Sequence, residues 1–363
     1  MIKINNPKGE TKMQKNRRKR QSQIDKIEIT NDKISGRGSL VFTFHNAKKA
    51  GEAFLLKLSI TDIIVIGFYL FLTLLNVIFY SRVNEWFILI IVNMGVISLV
   101  LLMAKNDETG KSRFWSSLRY WYLAPLILLT FKELYLMIKP IRVHDYDYLL
   151  IKADRFLLGC DATVVLQKIA NPLLTELLQF AYTSFYVLPV ILGINLYMQN
   201  RKPALDFSLF AVVYGFFLSY IGYFFLPAIG PRFALHDFSG MNTDLPGLFI
   251  TNFLREAINT GESIPYGTIN PEAVVQRDVF PSGHTQMTLI VMYLSFRFNV
   301  KSKYFLIPAG TLLIFATVYL RYHYVIDVIA GVFFMVITMI SGKYLYNWRQ
   351  KVTGKEIFSY DKL

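Results

Sequence analysis

Apolar residues fall along this chain in long runs separated by shorter polar stretches. Eight runs, at about 62–80, 86–104, 121–139, 173–197, 205–226, 285–300, 304–321 and 323–346, are predicted to be transmembrane helices. About 18 or more mostly apolar residues suffice to cross a bilayer core of roughly 30 Å. The fold class this predicts is all-α, a polytopic membrane helix bundle. Residues 1–56 lack such runs and are rich in Lys, Arg, Asn and Gln, which predicts a basic, disordered cytoplasmic tail rather than a signal peptide. Residues 57–120 read as an accessory hairpin with a cytoplasmic loop, 121–347 as a six-helix core, and 348–363 as a second basic tail.

Composition agrees with this picture: 53% of the 363 residues are hydrophobic, with 30 Phe and 22 Tyr, and the mean hydropathy is +0.37. The net charge of +14 would suit a nucleic-acid partner, so the position of the charges decides. Lys105, Lys111, Arg113 and Arg119 follow the second run, Arg201 and Lys202 the fourth, Arg297, Lys301 and Lys303 the sixth, and Lys343, Arg349, Lys351 and Lys355 the last. All lie on one side if both termini are cytoplasmic, so the basicity is topogenic and no nucleic-acid partner is expected. The single cysteine, Cys160, excludes an intramolecular disulfide.

Polar residues that interrupt the apolar pattern carry the candidate chemistry. His323 and Asp327 are four apart at the head of the last run, on one face of a helix. A carboxylate bonded to one ring nitrogen would fix the tautomer and leave the other nitrogen free to attack. The alternative is a pair that only satisfies itself. About forty residues upstream, Phe280-Pro281-Ser282-Gly283-His284-Thr285 heads another apolar run. Arg232 closes the fifth run after Pro227-Ala228-Ile229-Gly230-Pro231, as a phosphate fork or as a snorkelling interface residue. Charge asymmetry puts Arg232, Ser282, His284, Arg321, His323 and Asp327 together on the outer face.

Three further stretches bear on that face. Lys132 and Glu133 in the third run either snorkel and pair or serve a site. Residues 140–172, with Asp145, Asp147, Asp154 and Asp161, read as an amphipathic helix at the outer interface. The long outer loop 233–280 carries enough aromatic and aliphatic residues to fold as a lid.

Phe280 to Thr285, followed by Tyr319 to Gly331, resembles the type-2 phosphatidic acid phosphatase and vanadium haloperoxidase superfamily. That family carries Pro-Ser-Gly-His and a later His and Asp at the outer ends of a six-helix core. The resemblance implies a nucleophilic His323 forming a phosphohistidine, Asp327 as its partner, and His284 as the acid for the leaving oxygen. Ser282 and Gly283 are implied as phosphate ligands beside Arg232, with no cofactor and no metal; Arg321, two residues before His323, either joins them in place of the family's arginine or points elsewhere. The family's phosphatase form has an Arg six residues before the nucleophile, where this chain has Thr317. In this, and in His323-Tyr-Val-Ile-Asp327, the chain is more similar to the branch of inositol phosphorylceramide and sphingomyelin synthases. The expected activity is transfer of a phosphoryl or phospho-head group between membrane lipids. Hydrolysis, with water as acceptor, is the alternative, and a catalytically silent lipid-binding relative is a second.

Overall fold

The computed structural model describes residues 54–107 and 113–360. The chain divides into two compact units, Met1–Lys57 and Leu58–Leu363. The expected tail 1–56 lies almost wholly outside the described residues, and the helices and the site belong to the second unit.

The described residues of this unit form helices and loops. In chain order the helices are α1 (Ile60–Ile78), α2 (Trp86–Asp107), α3 (Arg113–Trp121), α4 (Leu123–Ile141), α5 (Asp147–Leu158), α6 (Ala162–Gln167), α7 (Pro172–Thr183), α8 (Val187–Met198), α9 (Lys202–Phe225), α10 (Pro231–Ala234), α11 (Met241–Asp244), α12 (Thr251–Gly261), α13 (Pro271–Val274), α14 (Gly283–Arg297), α15 (Lys303–Tyr319) and α16 (Val325–Val352). A backbone in hydrocarbon must satisfy its polar groups within the segment, and these apolar sequences do so as helices. Side chains fix where several begin. Ser59 and Asp62 form a reciprocal capping box at α1, Asn171 accepts the Leu174 N–H ahead of Pro172 at α7, and Ser282 accepts the Thr285 N–H at α14.

The chain is a multi-pass membrane protein. α1, α2, the continuous stretch α7–α8, α9 and α16 are long and apolar enough to cross a bilayer, five spans, and α3 with α4 makes a sixth if a 40° bend between them is counted within one span. The expected count of eight is not reached because α14 and α15 have only 15 and 17 residues. At 1.5 Å per residue they rise about 22 and 26 Å, short of a core of about 30 Å. α14 packs against α9, α15 and α16 in the middle of the bundle, where neighbouring helices rather than lipid surround it.

The α1–α2 hairpin is locked to the rest through buried polar contacts. Glu133 on α4 accepts from Asn93 at 2.9 Å and from Asn76 at 3.3 Å, and Tyr69 meets Thr130 at 2.8 Å. Both donors meet Oε1, so losing both would strip that buried oxygen of its partners, at a cost of roughly 1–3 kcal/mol. Lys132, one residue before, reaches the long loop instead, donating to Gly261 O and Ser263 Oγ. At the other end of the bundle α16 runs to Val352, and the chain then folds back. Phe358 stacks on Phe207 with centroids 4.1 Å apart, and Asn347 bonds its backbone. A polar cavity of about 740 Å³ opens beside it, lined by Asp62, Arg119, Asp206 and Arg349 among others.

Residues 226–282 carry the short helices α10 to α13. Glu176 on α7 anchors this loop by accepting the N–H groups of Leu248 (3.0 Å), Ile250 (2.8 Å) and Thr251 (3.1 Å) at the start of α12. A carboxylate at a helix N-terminus satisfies orphan donors and meets the positive end of the dipole. The segment expected to be one interfacial helix is two, α5 and α6, and it does more than cover a surface. Asp154 accepts from Val325 N at 2.9 Å and Ile326 N at 2.7 Å, capping α16 from outside. Asp147 accepts from Ile229 N, Gly230 N and the Tyr324 hydroxyl at 3.0, 2.8 and 2.8 Å.

Candidate active site

Those two carboxylates hold the short connection between α15 and α16, which carries His323. The turn is tight: the Thr317 carbonyl accepts both Tyr322 N and His323 N at 3.0 Å. Arg321 stands between with a left-handed backbone, φ 67°. Facing it is the start of α14, where the Ser282 N–H donates to the Asp327 carbonyl at 3.1 Å and ties the two helix starts together.

His323 and His284 meet here. His323 Nε2 lies 3.3 Å from His284 Nδ1. The other nitrogen of His323, Nδ1, lies 3.0 Å from the Val279 carbonyl oxygen. A carbonyl only accepts, so Nδ1 carries the proton and Nε2 the lone pair. The residue is buried, and burial pushes its pKa down to about 4 against the pull of Asp278, so the ring is neutral at pH 7. His284 is wedged between Tyr182 and Phe185, with ring centroids 4.6 and 4.2 Å away. Its Nδ1–H is left to donate to His323 Nε2.

Asp327 does not make the expected hydrogen bond to His323. Its Oδ2 is 3.6 Å from Nδ1, beyond hydrogen-bond length, and accepts the Tyr324 N–H at 2.8 Å instead. The reason lies in its place on α16: at the third helical position its carboxylate closes the helix start, and the Val279 carbonyl takes over the ring N–H. Asp327 stays fully buried with Oδ1 unpartnered among the described residues, so its carboxyl still lies beside the ring.

Arg232 borders the same small cavity as both histidines, with Tyr322, Asp278 and Glu262. The cavity holds about 10 Å³, room for about one water. Arg232 is buried over the Tyr322 ring, 4.8 Å from its centroid, and ion-pairs with Glu262 of the long loop. Ser282 and Gly283 stand at the edge of the site, where the Gly283 N–H is engaged while the Ser282 O–H stays able to donate. The Ser282 hydroxyl caps Thr285 N at 3.2 Å, and the Gly283 N–H is met by the Tyr223 hydroxyl. Glycine is required at 283, because a Cβ there would come within 2.5 Å of that hydroxyl. Arg321 is not brought to the cavity; its guanidinium turns away to Asp244, at 2.8 Å.

Three acidic groups at this end escaped the sequence reading as site residues: Asp278 and Glu262 on the cavity wall, and Asp154 behind the His323 turn. Asp278 lies half-buried against His323 and Arg232, and desolvation raises its pKa. Its signal was available, six residues before His284 and next to the apolar Val279-Phe280-Pro281. Nothing local marks Glu262.

A His–His–Asp cluster with an arginine thus stands at one end of a multi-pass helical bundle, an arrangement whose positive and proton-carrying groups can hold an anion. A family model for the PAP2 superfamily matches residues 149–341, just over half of the 363 residues. The chain belongs to that superfamily. The match takes in Asp154, Arg232, His284, His323 and Asp327 and leaves out α1 to α4. The chain is also similar to a PA-phosphatase related-family protein of Dictyostelium discoideum, 24% identical over 217 residues, which is 51% of this chain and 37% of that protein. It therefore spans little more than a third of that relative's length. No solved structure matches the chain.

Proposed function

We propose that the protein is a lipid phosphotransferase working through a phosphohistidine on His323, on the outer face of a membrane with both termini cytoplasmic. The observation that carries this is the orientation of the His323 ring: Nδ1–H is spent on the Val279 carbonyl and the free Nε2 is turned into the cavity toward a proton donor. In the first step Nε2 attacks phosphorus of a lipid phosphoester and the bond to the leaving oxygen breaks, while His284, carrying a second proton as imidazolium beside the bound phosphate anion, gives its Nδ1–H to that oxygen and is left neutral. In the second, an acceptor hydroxyl attacks the phosphohistidine, the P–N bond breaks, and its proton passes to His284. Arg232 balances charge on the equatorial oxygens and Asp327 steadies the cationic imidazole.

The 3.3 Å contact between the rings is a resting arrangement. An attacked phosphorus lies about 3–3.5 Å from the nucleophile, and the proton donor a further hydrogen bond away. The rings must therefore separate to roughly 6 Å or more, and Glu262 must release Arg232 to phosphate. A lipid hydroxyl is preferred to water as acceptor because the cavity is small, buried and walled by aromatic rings, so bulk water is excluded and a held acceptor wins by effective concentration. The pattern from His323 to Asp327 places the chain near the inositol phosphorylceramide synthase-like branch on the same proposal.

Hydrolysis is the second reading, favoured by the name of the Dictyostelium relative. Purified protein given a phosphate-labelled phospholipid and graded lipid alcohols separates the two. Transfer requires label to move onto an alcohol in proportion to its amount. Release of free phosphate at a rate indifferent to every alcohol establishes the phosphatase.

A further inference from the structure

Two buried arginines meet on one turn of the long loop, apart from His284 and His323. Arg321 is fully buried; Nη1 donates to Asp244 Oδ2 at 2.8 Å, and Nε and Nη2 have no partner among the described residues. Arg255 on α12 is buried as well, donating to Asn242 Oδ1 and, at 3.1 Å, to the Leu245 carbonyl, with Nε likewise unpartnered. Asn242 and Asp244 belong to α11 and Leu245 ends it, so both guanidinium groups close on the same four-residue helix. The Tyr322 hydroxyl, near Arg255, is also buried without a partner among the described residues.

The charges here do not balance. Two guanidinium groups face one carboxylate, Asp244, whose side chain is 35% exposed. His236 nearby adds no charge at pH 7: burial, then Arg321, pushes its pKa down to about 4, and its Nε2 is spent on Thr163 at 2.8 Å. Unpaired buried guanidinium N–H groups are costly, and their fork geometry fits the oxygens of phosphate. Tyr322 joins this cluster to the catalytic cavity, since its ring lies under Arg232 while its hydroxyl is near Arg255.

We propose that Arg321 and Arg255 form a second phosphate subsite, distinct from the phosphoester under attack by His323, with Asp244 holding its place until a ligand arrives. The preferred donor is then a phospholipid with a second phosphate in its head group. This part rests on the lipid substrate proposed above. Asp244 is exposed enough to leave, and substituting it removes a competitor without opening the core.

The test measures binding, not turnover, on the full-length protein in detergent carrying His323→Ala to keep the lipid intact. The probes are short-chain diacylglycerol diphosphate, short-chain phosphatidic acid and inorganic phosphate. The diphosphate is expected to bind about tenfold tighter than phosphatidic acid, and Asp244→Asn to widen that ratio by about three- to tenfold. Arg255→Gln should bring the ratio to about one. Inorganic phosphate stabilising Asp244→Asn, but not Arg255→Gln, against heating also supports the subsite and assigns it to the free anion. A ratio that Asp244→Asn leaves unchanged or lowers overturns the proposal, even if Arg255→Gln fails to fold. Turnover fails separately: a wild type silent on every lipid whose ratio still responds to Asp244→Asn loses the proposed reaction and keeps the subsite.

Discussion

The two ends of the bundle differ in a way that separates room from reactivity. At the α16 C-terminal end a cavity of about 740 Å³ is lined by charged groups that largely answer one another, Arg119 being bonded to Asp107 at 2.6 Å and to Asp62. No histidine is among its described lining residues. At the His323 end the cavity is about 10 Å³, yet it gathers two histidines, an arginine and two carboxylates in a setting that excludes solvent. A charge in a dry, pre-arranged site acts far more strongly than the same charge in water. The larger cavity therefore attracts attention for its volume, and the smaller one carries the proposed chemistry.

The sharpest way to break this contrast is to remove the acid at the closed end. His284→Ala should lower turnover by about 10²–10⁴, least for donors with good leaving groups. Rates with matched donors of differing leaving-group pKa measure this, and a uniform loss across the series would remove His284 from the acid role. Next in size is Asp154→Asn, which weakens the cap on α16 behind His323. A cap is worth about 0.5–2 kcal/mol, so a lower melting temperature should accompany a fall in kcat, while the charge-preserving but longer Asp154→Glu should restore neither fully. Glu262→Gln should lower KM by about three- to tenfold with kcat little changed, because Arg232 no longer has to exchange a carboxylate for phosphate. A raised KM would make Glu262 a structural partner only.

The acid limb of kcat/KM sharpens the comparison further. His323 must be neutral to attack, and its pKa is lowered to about 4, so activity should persist as pH falls through 6.5 and fail only near 4. Asp278→Asn should move that limb lower still, since the Asp278 charge raises His323. The smallest effect belongs to the open end: Asp206→Asn should leave turnover unchanged in the same lipid assay, and a loss comparable to that of His284→Ala would erase the distinction between the ends.

Much of this was legible in the chain. Long apolar runs predict helices without tertiary help, and Pro-Ser-Gly-His with His323 and Asp327 marks two helix starts that do come together. Glu262 was hidden because its partner Arg232 lies 30 residues away through a loop with no periodicity. Asp154 was visible only as one acid among four, since its role depends on a contact 171 residues downstream. Arg321 was expected beside the phosphate from its place two residues before His323. Its left-handed backbone and the pull of Asp244 set its side chain on another path, which spacing alone does not encode. Hydropathy counts α14 and α15 as spans although they have only 15 and 17 residues, because it registers apolar neighbours without distinguishing lipid from protein.

The central claim is that His323 carries the phosphoryl group, and rapid quench of the purified protein with a phosphate-labelled lipid donor tests it most directly. Wild type should yield an acid-labile, base-stable phosphoprotein mapping to His323 that is discharged by a lipid alcohol, and His323→Ala should yield neither label nor turnover. Label retained in His323→Ala, or turnover there at the wild-type rate, would contradict the account.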